Sequence, residues 1–295
     1  MKNISIIGCG TMGNGIAQTF ALHNYNVVLY DIKSENLEKA LVIISKNLQR
    51  MVDKDIISEN EKNKSLNNII LTTDFNLIKN SDLVVEAIIE DFEIKKNIFQ
   101  KLDSHCKRET ILASNTSSIS ITELAESTTR KEKVIGMHFM NPVPIMKLVE
   151  VINSKYTSKH TTETIIDLSK NLNKIPLTVN DFPGFISNRI LLPMINEAIE
   201  ALDDKVSSVK SIDGIMKLGM GHPMGPLQLA DLIGLDVCKS ILDVMYNGFN
   251  NPKYIPNKLL TQMVSEGELG IKSGLGFYDY SKSKKAETVS KRFVK

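Results

Sequence analysis

The stretch ISIIGCGTMGNGIAQTFAL, from Ile4 to Leu22, decides the fold. Four apolar or β-prone residues run straight into Gly8-Cys9-Gly10-Thr11-Met12-Gly13, and a helical pattern opens at Asn14. A GxGxxG run is weak by itself, but between a strand and a helix it marks the first turn of a dinucleotide-binding βαβ unit. Gly8 permits the tight turn, Gly10 lets backbone approach a pyrophosphate, and Gly13 lets the helix pack close to the strand. The free N–H groups of the helix start, around Thr11 and Met12, then face the phosphates.

The next β-prone run, NVVLYD from Asn26 to Asp31, ends on an acid 23 residues after Gly8. That is the position from which a carboxylate binds the adenosine ribose. A carboxylate there repels a 2′-phosphate, and Tyr30 beside it brings no cation, so NAD(H) is expected over NADP(H). Lys33 is the one nearby cation that works against this choice. The competing reading is a βαβ unit that holds no cofactor.

Further along, short β-rich runs continue to alternate with helical ones: Asn68–Thr72, Asp82–Ala87, Thr110–Ser114, Lys133–Phe139, Lys147–Ile152 and Ile175–Val179. The alternation predicts a doubly wound, mostly parallel Rossmann-type sheet, with strands covered on both faces. The run Ser34–Lys54 reads as one long helix. After Phe182-Pro183-Gly184 only helical patterns follow, at Asn188–Leu202, Ser208–Leu218, Pro226–Val244 and Pro256–Glu266. The expected layout is therefore an α/β NAD-binding domain over residues 1–181 and a smaller all-α domain over 182–281. Residues 282–295 carry six basic side chains against one acid and are expected to be a disordered basic tail.

Composition sets the outer limits. At 295 residues, two domains are the better expectation. Lys plus Arg number 36 against 34 acids, a net charge of +2, which gives no general attraction for nucleic acid or an anionic membrane. No apolar run approaches the roughly 20 residues of a membrane span, and the start is too short in apolar residues for a signal peptide. Cys9, Cys106 and Cys238 are far apart and make no metal spacing, so no metal is expected and a reducing cytoplasm fits.

A second stretch, IGMHFMNPVPIMKLVEV from Ile135 to Val151, places one histidine at the end of an apolar run and one glutamate inside another. A satisfied core histidine is the bland explanation. If the sheet is doubly wound, however, His138 stands at a strand's carboxyl end, where ligands bind, and so does Ser117 after Thr110–Ser114. The Asn141-Pro142-Val143-Pro144 turn can bring Glu150 beside His138, where a carboxylate would fix the imidazole tautomer with Nε2 free. Such a pair removes a hydroxyl proton while a hydride leaves the same carbon. Ser117 could donate to the reacting oxygen; its competing role is in the turn before a helix, for which Ser120 and Glu123 make a better capping box.

With these residues in place, the sequence resembles the L-3-hydroxyacyl-CoA dehydrogenases, and among them the bacterial 3-hydroxybutyryl-CoA dehydrogenases. The resemblance spans about Met1 to Ser281 through GCGTMGNGIA, ASNTSS, GMHFMNPVPIMKLVEV, DFPGFISNRILLPMINEA, LGMGHPMGP and KSGLGFYDY in order. It implies His138 as base, Glu150 as its orienting partner, and Ser117 and Asn188 as substrate-positioning groups. It also implies Glu90, Lys95, Asn141 and Lys272 as cofactor contacts, an acyl-CoA substrate and a homodimer. Asn47 and Lys54, with Arg50 one turn before Lys54, match the coenzyme A contacts, although a solvated charged face accounts for Arg50 and Lys54 equally well. His222 also matches, as part of a helix-linking turn. Met140 departs from the family by replacing a common aromatic. Two rivals stay open: a related dehydrogenase acting on a free hydroxyacid, and a catalytically idle NAD-binding protein.

Overall fold

The computed structural model describes residues 1–294. The chain divides into two units, Met1–Phe182 and Pro183–Lys295, each with its own apolar core.

The first unit has strands β1 (Asn3–Ile7), β2 (Asn26–Tyr30), β3 (Ile69–Thr72), β4 (Leu83–Glu86), β5 (Ile111–Ser114), β6 (Val134–Phe139), β7 (Leu148–Asn153) and β8 (Ile175–Asn180). They form one sheet in the order β3-β2-β1-β4-β5-β6-β7-β8. Strands β1 to β6 are parallel, β7 runs antiparallel to β6, and β8 is parallel to β7. The strand order reverses between β1 and β4, and ligands of such sheets bind at that reversal, beyond the carboxyl ends of the strands. Every residue of β4, β5 and β6 is buried, as their unbroken apolar runs require of strands covered on both faces. β8 differs from that expectation: it is an edge strand, and its Ile175 and Leu177 are 54% and 56% exposed.

Helices α1 (Thr11–Leu22), α2 (Ser34–Val52), α3 (Glu59–Asn67), α4 (Phe92–His105), α5 (Ile121–Glu126) and α6 (Lys159–Asn171) connect these strands. In α2 the buried residues Leu37, Ala40, Ile44 and Leu48 follow the helical period and form one stripe against the core. The chain leaves α2 at Asp53, and α3 starts from a Ser58/Glu61 capping box. The pattern of α3 is nearly all polar, with Ser65 its one buried residue, so apolar periodicity did not mark it.

The second unit contains α7 (Ser187–Asp203), α8 (Val209–Met220), α9 (Pro226–Ile233), α10 (Leu235–Phe249) and α11 (Lys258–Ser265). The single helix expected over Pro226–Val244 is two, because Gly234 takes φ +103, outside helical geometry. Asp213 of α8 accepts the Leu227 and Gln228 amides, 2.8 and 3.0 Å away, and so caps α9.

Two further expectations are corrected in this unit. A short antiparallel pair, β9 (Tyr278–Asp279) and β10 (Thr288–Val289), follows the helices. The segment expected to be a disordered tail instead folds back through β10: Ser290 is buried, Phe293 stacks on Phe277 with ring centroids 5.6 Å apart, and Arg292 pairs with Glu266 and Glu268. Apolar anchors at Val289 and Phe293 outweigh the charge count; Lys295 lies outside the described residues. Among the described residues, no helix is long and apolar enough to cross a membrane.

Candidate active site

The glycine turn is built for close approach. Gly8 has φ +95, and a Cβ there would lie 2.7 Å from the Ala87 carbonyl oxygen. At Gly13 a Cβ would fall 1.9 Å from the Gly8 carbonyl oxygen, so only glycine lets α1 begin this near β1. Gly10 faces open space. It caps α1 with no side-chain hydrogen bond, and no acid stands in the first turn among the described residues. The uncapped N–H groups beginning at Thr11 and Met12 are therefore suited to a phosphate.

Asp31 follows β2 directly. Its Oδ2 accepts the Cys9 amide at 3.1 Å and the Cys9 thiol at 3.2 Å, while Oδ1 accepts the Lys33 amide and the Asn36 side chain at 3.1 and 3.3 Å. Burial alone would raise this carboxyl, but these donors outweigh it and hold it below the usual range. An anion at this point suits ribose hydroxyls and repels a phosphate. The turn and Asp31 together fit NAD. Cys9 itself is pushed up to about 12 by burial and by the neighbouring Asp31, which leaves it a filler and not a nucleophile.

His138 and Glu150 do meet. They are direct partners in the antiparallel register of β6 and β7, and His138 Nδ1 lies 2.8 Å from Glu150 Oε2. Both are buried. An ionised carboxylate only accepts, so with Glu150 ionised Nδ1 carries the proton and the ring is held in the Nδ1–H tautomer. Asn115 fixes the end of the same strand: its Oδ1 accepts the Phe139 amide at 2.9 Å, and its main-chain N–H donates to the Glu86 main-chain carbonyl at 2.8 Å.

Around Ser117 lies a network that the sequence showed only in part. Glu90 Oε1 accepts the Ser117 amide at 2.9 Å, its hydroxyl at 3.3 Å, the Ser118 amide and hydroxyl at 3.1 and 3.0 Å, and the Thr116 hydroxyl. Lys95 Nζ sits between Glu90 Oε2 at 3.3 Å and the fully buried Glu86 Oε1 at 2.6 Å. Glu86 also accepts the Ser114 hydroxyl at 2.6 Å. Burial pushes Glu86 above the ordinary carboxyl range against the pull of Lys95. Glu90 is exposed at its outer side; partial desolvation raises its carboxyl, but Lys95 and the hydroxyl and amide donors outweigh that and hold it below that range. Glu86, Ser114 and Asn115 were missed as site residues. For Glu86 the signal was there, an acid ending the apolar run LVVE.

The remaining candidates are placed as follows. Asn141 opens the turn between β6 and β7 and is exposed. Asn188 lies in the first turn of α7, and Lys272 pairs with Asp236 at 2.6 Å, both within the second unit. Asn47 donates to Gln18 of α1 at 3.4 Å, whereas Arg50 lines a groove of about 850 Å³ with Leu41, Lys46, Leu66 and Ile69. Lys54 is exposed just beyond α2. The three proposed coenzyme A contacts are thus spread around the end of one helix. Gly221, at φ +70, ends α8, and the His222 amide returns to the Met216 carbonyl at 3.1 Å, as a helix-linking turn would have it.

A glycine turn at β1, an acid closing β2 and the strand reversal between β1 and β4 define a dinucleotide-dependent oxidoreductase of the Rossmann class. The family model for the 3-hydroxyacyl-CoA dehydrogenase NAD binding domain matches residues 3–182, and that for the C-terminal domain of the same family matches 184–280. The chain belongs to the 3-hydroxyacyl-CoA dehydrogenase family and is an NAD-dependent enzyme of it. It is 50% identical over 279 residues to the 3-hydroxybutyryl-CoA dehydrogenase of Clostridioides difficile, covering 95% of this chain and 99% of that one. It is 42% identical to the mitochondrial hydroxyacyl-coenzyme A dehydrogenase of Sus scrofa, covering 95% and 91%. The crystal structure of (S)-3-hydroxybutyryl-CoA dehydrogenase from Ralstonia eutropha is similar at a TM-score of 0.93 and 45% identity, covering 96% of this chain and all of that one.

Proposed function

We propose that this enzyme interconverts (S)-3-hydroxybutyryl-CoA and acetoacetyl-CoA, with His138 and Glu150 as its acid/base pair. The 2.8 Å contact between His138 Nδ1 and Glu150 Oε2 is the observation that carries the proposal, and the names borne by relatives near 50% identity support the substrate. Bound NAD supplies the hydride acceptor for C3. As the C3–H hydride departs, His138 Nε2 takes the proton of the C3 hydroxyl; in the reverse direction the imidazolium returns it to the new alkoxide. Glu150 stabilises the imidazolium and keeps the ring oriented. Ser117, held to Glu90 through its main-chain amide, turns its hydroxyl from Glu90 to donate to the reacting oxygen, and Asn188 meets the thioester carbonyl. Glu90, Lys95, Asn141 and Lys272 position the cofactor, while Asn47, Arg50 and Lys54 receive the coenzyme A end.

The enzyme works as a homodimer in the cytoplasm. The exposed apolar side chains Ile215, Leu218 and Met220 on α8, with Leu218 91% exposed, favour the dimer, and three unpaired cysteines suit a reducing compartment. Steady-state reduction of acetoacetyl-CoA by NADH, beside free acetoacetate, tests the substrate. Free 3-oxoacid turnover matching that of the CoA ester would give the reaction to the hydroxyacid rival; no turnover of either would leave an idle NAD-binding protein. Sedimentation of the same sample checks the dimer.

A further inference from the structure

Lys174 stands between α6 and β8, only 7% exposed, and its ammonium has main-chain carbonyls as its hydrogen-bond partners: Val143 and, 2.8 Å away, Met146. Burial pulls this ammonium below its usual range, so its retention inside the protein has a cost that these carbonyls offset. Both carbonyls belong to the turn at 141–147, the covalent bridge between His138 and Glu150. The same turn is fixed twice more. The Ile175 amide donates to the Lys147 carbonyl at 2.8 Å, and Val143 packs so closely on Gly15 of α1 that a Cβ there would lie 3.0 Å from it. The turn therefore touches the helix that starts at the dinucleotide site and joins the two strands of the acid/base pair.

We infer that Lys174 is a positioning residue for the dehydrogenase reaction, clamping this turn so that Asn141 and the His138–Glu150 hairpin keep their places relative to the dinucleotide turn. The inference rests on the reading of His138 and Glu150 as the acid/base pair. A lost clamp leaves the buried Val143 carbonyl and the part-buried Met146 carbonyl without this donor and lets the turn move; a displacement near 1 Å can cost on the order of a hundredfold in rate.

The experiment measures kcat and KM for acetoacetyl-CoA and NADH in Lys174→Met, Glu150→Gln and the double variant, with thermal unfolding of each. Lys174→Met is expected to lower kcat at least about tenfold with KM for acetoacetyl-CoA within about twofold. In the Glu150→Gln background the same change should cost less than about threefold, because the pair it positions is already impaired. A merely structural lysine would lower the melting temperature and leave kcat alone, and kcat within twofold of wild type in Lys174→Met overturns the inference. So does a full multiplicative loss in the double variant. If Lys174→Met does not fold, Lys174→Gln decides, since its amide nitrogen ends one bond short of the lysine Nζ and cannot keep both carbonyl contacts: a threefold or greater fall in kcat supports positioning, and a smaller change overturns it. Wild-type kcat in His138→Gln would sink the acid/base reading itself, a separate result.

Discussion

His138 and Glu150, 12 residues apart in sequence, face each other across β6 and β7 with Nδ1 and Oε2 2.8 Å apart. The antiparallel turn between two apolar strands is what makes this possible, since a parallel crossover would need a dozen or more residues and would displace Glu150 to another strand. The register is set by the buried neighbours Met137, Phe139, Val149 and Val151, because a slip of one residue would turn them all to the opposite face. Burial of both partners keeps the interaction strong and the ring in one orientation.

Replacing His138 by Gln is expected to lower kcat at least about a hundredfold, the low end for loss of a general base, while NADH affinity and melting temperature stay near wild type. Glu150→Gln should share much of this defect, since an amide oxygen can still hold Nδ1–H but no longer balances the imidazolium charge. The double variant should be little worse than His138→Gln, as residues acting as one unit are not additive. Near-normal kcat in either single variant would return His138 to the role of a core histidine.

Asp31 should make the enzyme prefer NADH. It is held as an anion by the Cys9, Lys33 and Asn36 donors, and a 2′-phosphate about 4 Å away would be repelled by roughly 1 kcal/mol in water and about 4 at an effective dielectric near 20. Since about 1.4 kcal/mol is tenfold, kcat/KM with NADPH should be at least several-fold lower. Asp31→Ala should narrow the gap. Equal kcat/KM for both cofactors in the wild type would contradict this account of the site.

Gly13→Ala tests the turn sterically. The added Cβ would lie 1.9 Å from the Gly8 carbonyl oxygen, an atom of backbone that cannot rotate away, so the start of α1 must move from β1. Overpacking of this kind costs about 1–3 kcal/mol or more. NADH affinity, read by fluorescence titration, should fall at least about tenfold. Gly10→Ala, whose Cβ would meet open space, should leave the melting temperature unchanged. Equal NADH affinity in Gly13→Ala and wild type would show that the dinucleotide does not depend on this close approach.

The parts legible from sequence were those in which residue type and burial coincide. Strands β4, β5 and β6 are buried along their whole length, so they appear as apolar runs, and the glycine turn follows from steric need. His138 and Glu150 stood out because each interrupts or ends such a run. Glu86 does the same at the end of β4 but has no motif to draw attention to it. Asn115 and Lys174 act on main-chain atoms, at Phe139, Val143 and Met146, whose proximity exists only once β5, β6, β7 and β8 are side by side. No local pattern encodes that. The end of the chain misled for the opposite reason: a high count of Lys and Arg hid two apolar anchors.

Those anchors make the last prediction. The family model stops at residue 280, and beyond it β10 pairs with β9, Phe293 stacks on Phe277, and Arg292 reaches Glu266 and Glu268. Full burial of a phenylalanine side chain contributes about 1.5–3 kcal/mol; the partly buried Phe293 gives a share of this, and the fully buried Phe277, uncovered with it, loses more. The ion pairs of Arg292 are screened by solvent and add less than that. A chain ending at Ser281 should therefore lose a few kcal/mol from the second unit and expose Phe277, which the full-length protein buries completely. At about 2–4 °C per kcal/mol for a chain of this size, its melting temperature should drop by roughly 5–10 °C. Phe293→Ala should reproduce more than half of that drop and Arg292→Ala much less, because burial outweighs screened charge. NADH affinity, which rests mainly on the glycine turn and Asp31 of the first unit, should stay within about twofold of the full-length protein. A truncated chain that melts with the full-length protein would return residues 282–294 to the solvated tail that their charge suggests.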